Sequence, residues 1–253
     1  MPTTLGSALK NSLLRLMPQG DMKALYPHFE WVNLHSHEVL NAPEQRNHHF
    51  YFPVTGVYSV LARGNDGAVI ESGLIGREGM VGTSLCLGVT NTPFDFLVQV
   101  PGRCIRIPEA PFMERFHASA PMRSLLMRYL LYALVQTAQT ALANGTLTVQ
   151  QRLARWLLMC QDRLDAEEFM ITHDFLASTL AVRRPMVTVA LQTLEGHRAI
   201  RSTRGKLKIL DRALLENIAG SAYGVAESEY QRLLVNPQFE DQVPAGPRSA
   251  GLM

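Results

Sequence analysis

Apolar positions change their spacing several times along this chain. Over residues 5–17 they recur with a helical period, in a short amphipathic stretch that Pro18 and Gly20 close. From about 31 to 107 they fall into short β-prone runs such as HHFYFPVTGVYSVLARG, DGAVIESGLIG and RCIRIP. Gly64-Asn65-Asp66-Gly67 between two of these runs predicts a hairpin turn. Many short strands at near-regular spacing predict a small β-barrel or an antiparallel, jelly-roll-like β-roll. Pro108, Pro111 and Pro121 then punctuate the exit, and a helix is expected from about 122 to 143, stopped by Asn144-Gly145.

Between 125 and 135 that helix is apolar almost all round, so it must be covered all round. Its own β domain covers one face, and a second copy of the same helix is the simplest cover for the other. Leu125, Leu126, Tyr129, Ala133 and Gln136 are the expected dimer-helix residues. The alternative is a single domain that encloses the helix completely. Thr148 to Gln151 then reads as a capping box opening the helix QQRLARWLLMCQDRL.

The stretch ITHDFLASTLAVRRPMVTVALQTLEG, residues 171–196, predicts two short amphipathic helices around a tight joint. Thr172 caps the first, and Phe175, Leu176, Thr179 and Leu180 share its inner face. Val187, Ala190, Leu191 and Leu194 face inward on the second, which Gly196 closes. Arg184, Pro185, Thr188, Val189 and Gln192 are left facing outward. AIRSTRGKLKILD follows as strand, turn and strand with Arg204-Gly205 at the tip, which makes the whole a winged helix-turn-helix. Residues 213–234 read as helical, and the stretch from Pro237 is expected to be disordered.

Charge sharpens this reading. The 253 residues are 47% hydrophobic with a net charge of +2, which fits a chain of about two domains and does not announce a nucleic-acid partner. Between 171 and 212, however, eight basic residues face only Asp174, Glu195 and Asp211. The tail is acidic, through Glu216, Glu227, Glu229, Glu240 and Asp241. A basic patch confined to one segment is an electrostatic footprint for phosphate. Thr172, Arg183, Arg184, Pro185, Met186, Thr188, Val189, Gln192, Arg201, Arg204 and Lys206 are therefore the candidate contacts to double-stranded DNA. The competing reading of Arg183 and Arg184 is a solvated surface pair.

The order of β-roll, long helix, capping box and the pattern ITxxxLAxxLxxxRxxVxxxLxxLE resembles the Crp/Fnr family of bacterial transcription regulators over roughly residues 20–215. The resemblance implies an α+β chain, and the expected parts are an N-terminal helix (1–20), a cyclic-nucleotide-binding-like effector roll (21–117), a dimerisation helix (118–145), a winged helix-turn-helix (146–214) and a C-terminal helix with its tail (215–253). It also implies a homodimer on a two-fold DNA site, with RNA polymerase as a possible further partner. Family reading helices often begin Arg-Glu-Thr-Val-x-Arg. Here Arg184 keeps the first arginine, suited to guanine O6 and N7, while Pro185 and Val189 replace the glutamate and the second arginine. A different operator is expected. Glycine is usual at position 181, where Ala181 stands, and Arg183 occupies the place of a Ser or Thr cap, leaving a vacancy that a DNA phosphate is expected to fill.

IGREGMVGTSLCLG (75–88) resembles the family's glycine-rich turn, and the candidate effector cavity is Gly76, Gly82, Thr83, Ser84, Phe94, Asp95 and Thr137. Such a turn can cradle a phosphate through backbone N–H groups. The glutamate and arginine that complete the cradle in cyclic-nucleotide-binding relatives correspond to Thr83 and to Phe94-Asp95, and an unpaired carboxylate at 95 would repel a cyclic phosphate. No cyclic nucleotide is expected and the glycines are read as serving the fold; a cyclic-nucleotide-controlled regulator of the same architecture is the runner-up reading. The effector remains unassigned. Cys86, Cys104 and Cys160 are too few and too scattered for an iron–sulfur cluster or a disulfide framework, and read as small buried hydrophobes. His35, His37, His48 and His49 suggest a cupin-like metal site only faintly, and no metal or nucleophile–base set is expected. The other rival is a binding module that controls an enzyme rather than DNA; the basic wing opposes both. No apolar run opens the chain, and Arg128, Gln136 and Gln139 break the most apolar helix, so a cytoplasmic protein without a signal peptide or membrane span is expected.

Overall fold

The computed structural model describes residues 5–41, 45–164, 168–203 and 205–237. The predicted N-terminal helix is three helices, α1 (Leu5–Ala8), α2 (Ser12–Leu16) and α3 (Gln19–Leu25). Asn11 makes the first break. Its carboxamide oxygen accepts from Leu14 N, and its Nδ2 donates to the Pro53 and Gly79 carbonyls, so this buried amide is fully used. Gly20 lies inside α3 rather than ending a helix.

The roll comprises β1 (Glu30–Leu34), β2 (Val39–Asn41), β3 (His49–Pro53), β4 (Val57–Arg63) and β5 (Val69–Ile75). Then come the one-turn α4 (Thr83–Cys86), β6 (Phe94–Val100) and β7 (Gly102–Pro108). Its antiparallel sheets run β1-β7-β3 and β2-β6-β4-β5. Strand alternation sorts the side chains. Tyr51, Tyr58, Phe96, Val98 and Cys104 fill the space between the sheets. Phe50, Phe52, Ile105 and Ile107 point the other way, into a helical layer.

That layer contains α5 (Glu109–Ala118), which the sequence pattern did not predict because Pro111 reads as a breaker. Pro111 stands in the first turn, where no intrahelical N–H is lost, and Phe112 stacks on Phe50 with 3.9 Å between ring centroids. The long helix α6 spans Ala120–Thr146, with Pro121 again in its first turn and Ser119 as its cap. The Ser119 hydroxyl also donates to buried Asp21, which pairs with Arg115.

The dimer-helix expectation needs correction. Leu125, Leu126, Tyr129 and Gln136 are buried against their own chain, and Ala133 is half-buried. Gln136 accepts a 2.6 Å bond from Leu74 N and donates to the Tyr132 hydroxyl. The apolar positions that reach solvent are Met127, Leu131, Leu134 and Leu142, with Leu134 65% exposed. All-round apolarity said that two faces existed; it did not say which one the roll takes.

α7 (Val149–Leu164) opens with the predicted capping box, as Gln151 Oε1 accepts from Thr148 N and Thr148 Oγ1 from Gln151 N. Leu153 to Cys160 are all buried. Roll residues Val57 and Leu74 share one apolar core with α7 and with the elements that follow it as far as Ala219. Polar bonds cross the same boundary. Trp156 Nε1 donates to Glu71 at 2.9 Å, and Arg163 Nε lies 2.9 Å from Glu78. Beyond come β8 (Glu168–Met170), α8 (His173–Thr179), α9 (Arg184–Gly196), β9 (Ile200–Thr203), β10 (Lys206–Ile209), α10 (Arg212–Ala219) and α11 (Val225–Tyr230). The end of the chain returns to the roll, where Ala226, Tyr230, Leu233 and Leu234 join the helical-layer core. The disorder expected from Pro237, like Glu240 and Asp241, falls outside the described residues apart from Pro237 itself.

Burial pushes the Glu71 carboxyl up to about 7, only partly offset by its bonds from Ser59 and Trp156 and by the Arg155 and Arg163 charges. A folded value above the unfolded one means that folding favours the protonated acid. The contribution is complete below the unfolded value near 4.5 and is lost as pH rises through about 7. Glu71→Gln should therefore gain on the wild type between pH 5.5 and 8.5, by roughly 2–3 kcal/mol at the upper end. Thermal denaturation checks this, and parallel pH profiles for the two proteins would refute it.

Candidate nucleic-acid interface

Thr172 caps α8, its Oγ1 accepting from Phe175 N at 3.2 Å. Leu176, Thr179 and Leu180 are buried, and Phe175 leans on Trp156 with 5.6 Å between centroids. The joint turns at Ala181, whose φ of +49° is left-handed, and half-buried Val182 packs into the core behind it. α9 then starts with Pro185 in its first turn and no side-chain cap on Arg183. Val187, Ala190, Leu191 and Leu194 are buried. The left-handed residue after α9 is Arg198, at φ +61°, and Gly196 is simply the last helical residue.

The other face of α9 meets solvent. Arg183, Arg184, Pro185, Met186, Val189 and Gln192 are exposed and Thr188 is half-buried. Val189 is 61% exposed, an apolar side chain at a position from which it can meet a thymine methyl. Arg184 Nε lies 3.3 Å from Asp174, but both side chains are mostly solvated, so the pair holds the guanidinium weakly. His173 Nδ1 and the Thr188 hydroxyl are 3.1 Å apart and tie α8 to α9.

The wing is a three-stranded sheet in the order β8-β10-β9. The sequence pattern predicts β9 and β10 but not β8. Ile200, Leu207 and Ile209 are buried, whereas Arg201, Thr203, Lys206 and Lys208 stand on the exposed face, with Arg201 opposite Lys208. Lys206 Nζ makes a 3.1 Å surface pair with Glu168. Glu195 accepts from Ser202 N at 2.6 Å, which fixes the wing to the end of α9. Arg204 lies outside the described residues.

The proposed effector residues do not converge. Gly76 follows Ile75, opposite Tyr58, whereas Asp95 lies opposite Leu61 toward the other end of β4. Asp95 is not an unpaired carboxylate: it is buried and pairs with Arg63. Phe94 is exposed at the edge, and Thr137 points to solvent with its hydroxyl donating to the Ala133 carbonyl. Thr83 and Ser84 are half-buried at the start of α4, after left-handed Gly82.

Protein side chains take the space that the turn glycines leave. A Cβ on Gly79 would fall 2.1 Å from the Tyr129 hydroxyl, and one on Gly76 2.5 Å from the Arg163 side chain. Two of the turn's N–H groups are engaged by side chains. Gly76 N donates to Glu78 and Met80 N to the Tyr129 hydroxyl.

Cys104 and Cys160 are buried and Cys86 is half-buried; burial raises all three thiols, to about 12 at Cys86 and Cys104. Among the described residues no three His, Cys, Asp or Glu side chains gather as metal ligands, and no helix is long and apolar enough to cross a membrane.

Residues 151–218 match the Crp-like helix-turn-helix domain family. No curated protein sequence matches the chain. Among solved structures, a Crp/Fnr-family regulator from Eubacterium rectale is similar at TM-score 0.64 and 15% identity, over 83% of this chain and 99% of that one. FixK2 from Bradyrhizobium japonicum aligns at TM-score 0.64 and 14% identity, over 76% and 98%. CLP of Xanthomonas campestris, described as a c-di-GMP-responsive global regulator, aligns at 0.61 and 16%, over 76% and 99%. The chain thus carries a Crp-like helix-turn-helix domain over residues 151–218, on the fold shared with these Crp/Fnr-type structures.

Ala181 bears the cost of a left-handed β-carbon. Ala181→Gly should raise stability by about 0.5–1 kcal/mol after the unfolded-state entropy of glycine is subtracted. Denaturant unfolding measures it, and a loss of stability would contradict the strain argument.

Proposed function

We propose that the chain is a sequence-specific DNA-binding transcription regulator, that it acts as a homodimer, and that cyclic AMP in a glycine-turn cradle does not control it. The observation that carries the first part is the exposed row on α9, led by Arg184 and flanked by the basic face of the wing. A helix entering the major groove by its N-terminus puts Arg184 on base edges, Thr188, Val189 and Gln192 further along, and Arg183, Arg201 and Lys206 near phosphates. The uncapped start of α9 adds N–H groups for a phosphate oxygen.

The solvent-facing apolar stripe on α6 supports the dimer. Met127, Leu131, Leu134, Ala138 and Leu142 recur every three or four residues, the spacing of a helix–helix seam. Occupation of the glycine turn by Tyr129 and Arg163 supports the third part. RNA polymerase would be a partner of such a regulator at a promoter.

Binding-site selection should return a two-fold site with guanine specified by Arg184 and no base specified through residue 185. Arg184→Ala should cost about 1–3 kcal/mol and relax one position, whereas Arg183→Ala should weaken all sequences alike and lower the salt slope by about one. An unchanged base preference in the Arg184 variant would sink the groove assignment. Leu134→Glu should halve the mass seen by sedimentation without unfolding the chain. A wild type that sediments as a monomer removes the dimer from the reading.

A further inference from the structure

A cleft of about 1150 Å³ opens where six stretches remote in sequence meet. The α1–α2 turn supplies Lys10 and α2 supplies Arg15, and the β5–α4 turn supplies Arg77 and Glu78. Tyr132 and Arg163 come from α6 and α7. Arg212, Tyr223, Glu227 and Tyr230 close the remaining side. None of the candidate effector residues lines it, and its N-terminal wall and its 223–231 wall both lie outside the stretch that matches the helix-turn-helix family.

The polar groups are held in place rather than dangling. Arg163 is buried and bound to Glu78 and to the Tyr132 hydroxyl at 3.0 Å. The Tyr223 hydroxyl donates to Asp162 at 2.6 Å, and Arg212 lies 2.9 Å from the same carboxylate. Tyr230 donates to the Glu78 carbonyl at 3.0 Å. With Glu78 and Asp162 so engaged, Lys10 and Arg15 on the rim have no carboxylate within ion-pair reach among the described residues.

Counting the whole lining, five cations face three carboxylates, an excess of two positive charges in a concave site. Concave walls of one sign concentrate counter-ions. A phosphate monoester brings close to two negative charges at neutral pH together with acceptors for arginine and lysine. The cleft is far larger than a phosphate group, and its three tyrosines offer surface to an organic body. We propose that this cleft is a binding site for a phosphorylated small metabolite, its phosphate held by Lys10 and Arg15 and its body lying against the tyrosines. Such an occupant touches the roll at Arg77 and Glu78 and the DNA-binding part at Arg163 and Arg212 at the same time. The site does not rest on DNA binding, and its test needs none.

Calorimetric titration of the full chain with glucose 6-phosphate, 5′-AMP, inorganic phosphate and succinate tests the inference. At least one monoester should bind saturably, tighter than about 1 mM, and raise the melting temperature. It should bind at least tenfold tighter than inorganic phosphate and succinate. The double variant Lys10→Gln/Arg15→Gln should lose that binding at least tenfold while melting as the wild type does, and Arg201→Gln/Lys206→Gln on the wing should keep it. No saturable binding by either monoester, equal binding of succinate, or loss of binding only in the wing variant would each overturn the proposal.

Discussion

Everything in this molecule depends on α7 having no free face. One side seats α9 and α10, and the other closes over the roll at Val57 and Leu74. Apolar area drives that closure, but three polar groups go in with it. The indole N–H of Trp156, the guanidinium of Arg163 and that of Arg155 each leave water. A buried donor without an acceptor costs about 1–3 kcal/mol and a buried unpaired charge about 3–5 kcal/mol. Each therefore needs a partner at a defined place. Trp156 takes Glu71 and Arg163 takes Glu78, both from the roll, while Arg155 takes the Ala222 carbonyl at 2.9 Å. The apolar core allows the two parts to associate, and these pairs fix the register in which they do so.

The same constraint explains the glycine turn. Arg163 can reach Glu78 only by lying across Gly76, where a β-carbon would collide with it. Tyr129 can bond Met80 only by placing its ring tip against Gly79. A glycine spacing able to present N–H groups to a phosphate serves here to bring a helix and a guanidinium close to backbone. One sequence motif permits both uses, because each needs the same thing: no side chain in the way.

This is also where the sequence stopped being legible. The reading helix could be read because its period is strong and its two faces differ sharply, so Val187, Ala190, Leu191 and Leu194 declared themselves inward. The capping box and the hairpin around Gly205 were equally local. What failed depended on contacts distant in sequence. α6 is apolar on both faces, so nothing local separated the Tyr129 side from the Leu134 side. Pro111 and Pro121 looked like breakers, yet a proline in the first turn of a helix breaks nothing. β8 is three residues long and becomes a strand only through its pairing with β10. Asp95 looked unpaired because Arg63 is 32 positions away.

The return of the chain limits how such a molecule can change shape. After the wing, α10 packs on α7, and the following residues place Tyr230, Leu233 and Leu234 in the core under the roll. The DNA-binding part is thus attached to the roll through α7, through the polar pairs and through its own C-terminal segment. A hinge opening near Leu147 would expose Val57 and Leu74, strand Glu71 and Glu78, and pull Tyr230 from its carbonyl. Rotating one whole protomer against its partner along the α6 stripe breaks none of these. In the dimer proposed here only the second motion leaves these intrachain contacts whole, and it moves two reading helices relative to each other, which is the variable a two-fold DNA site measures.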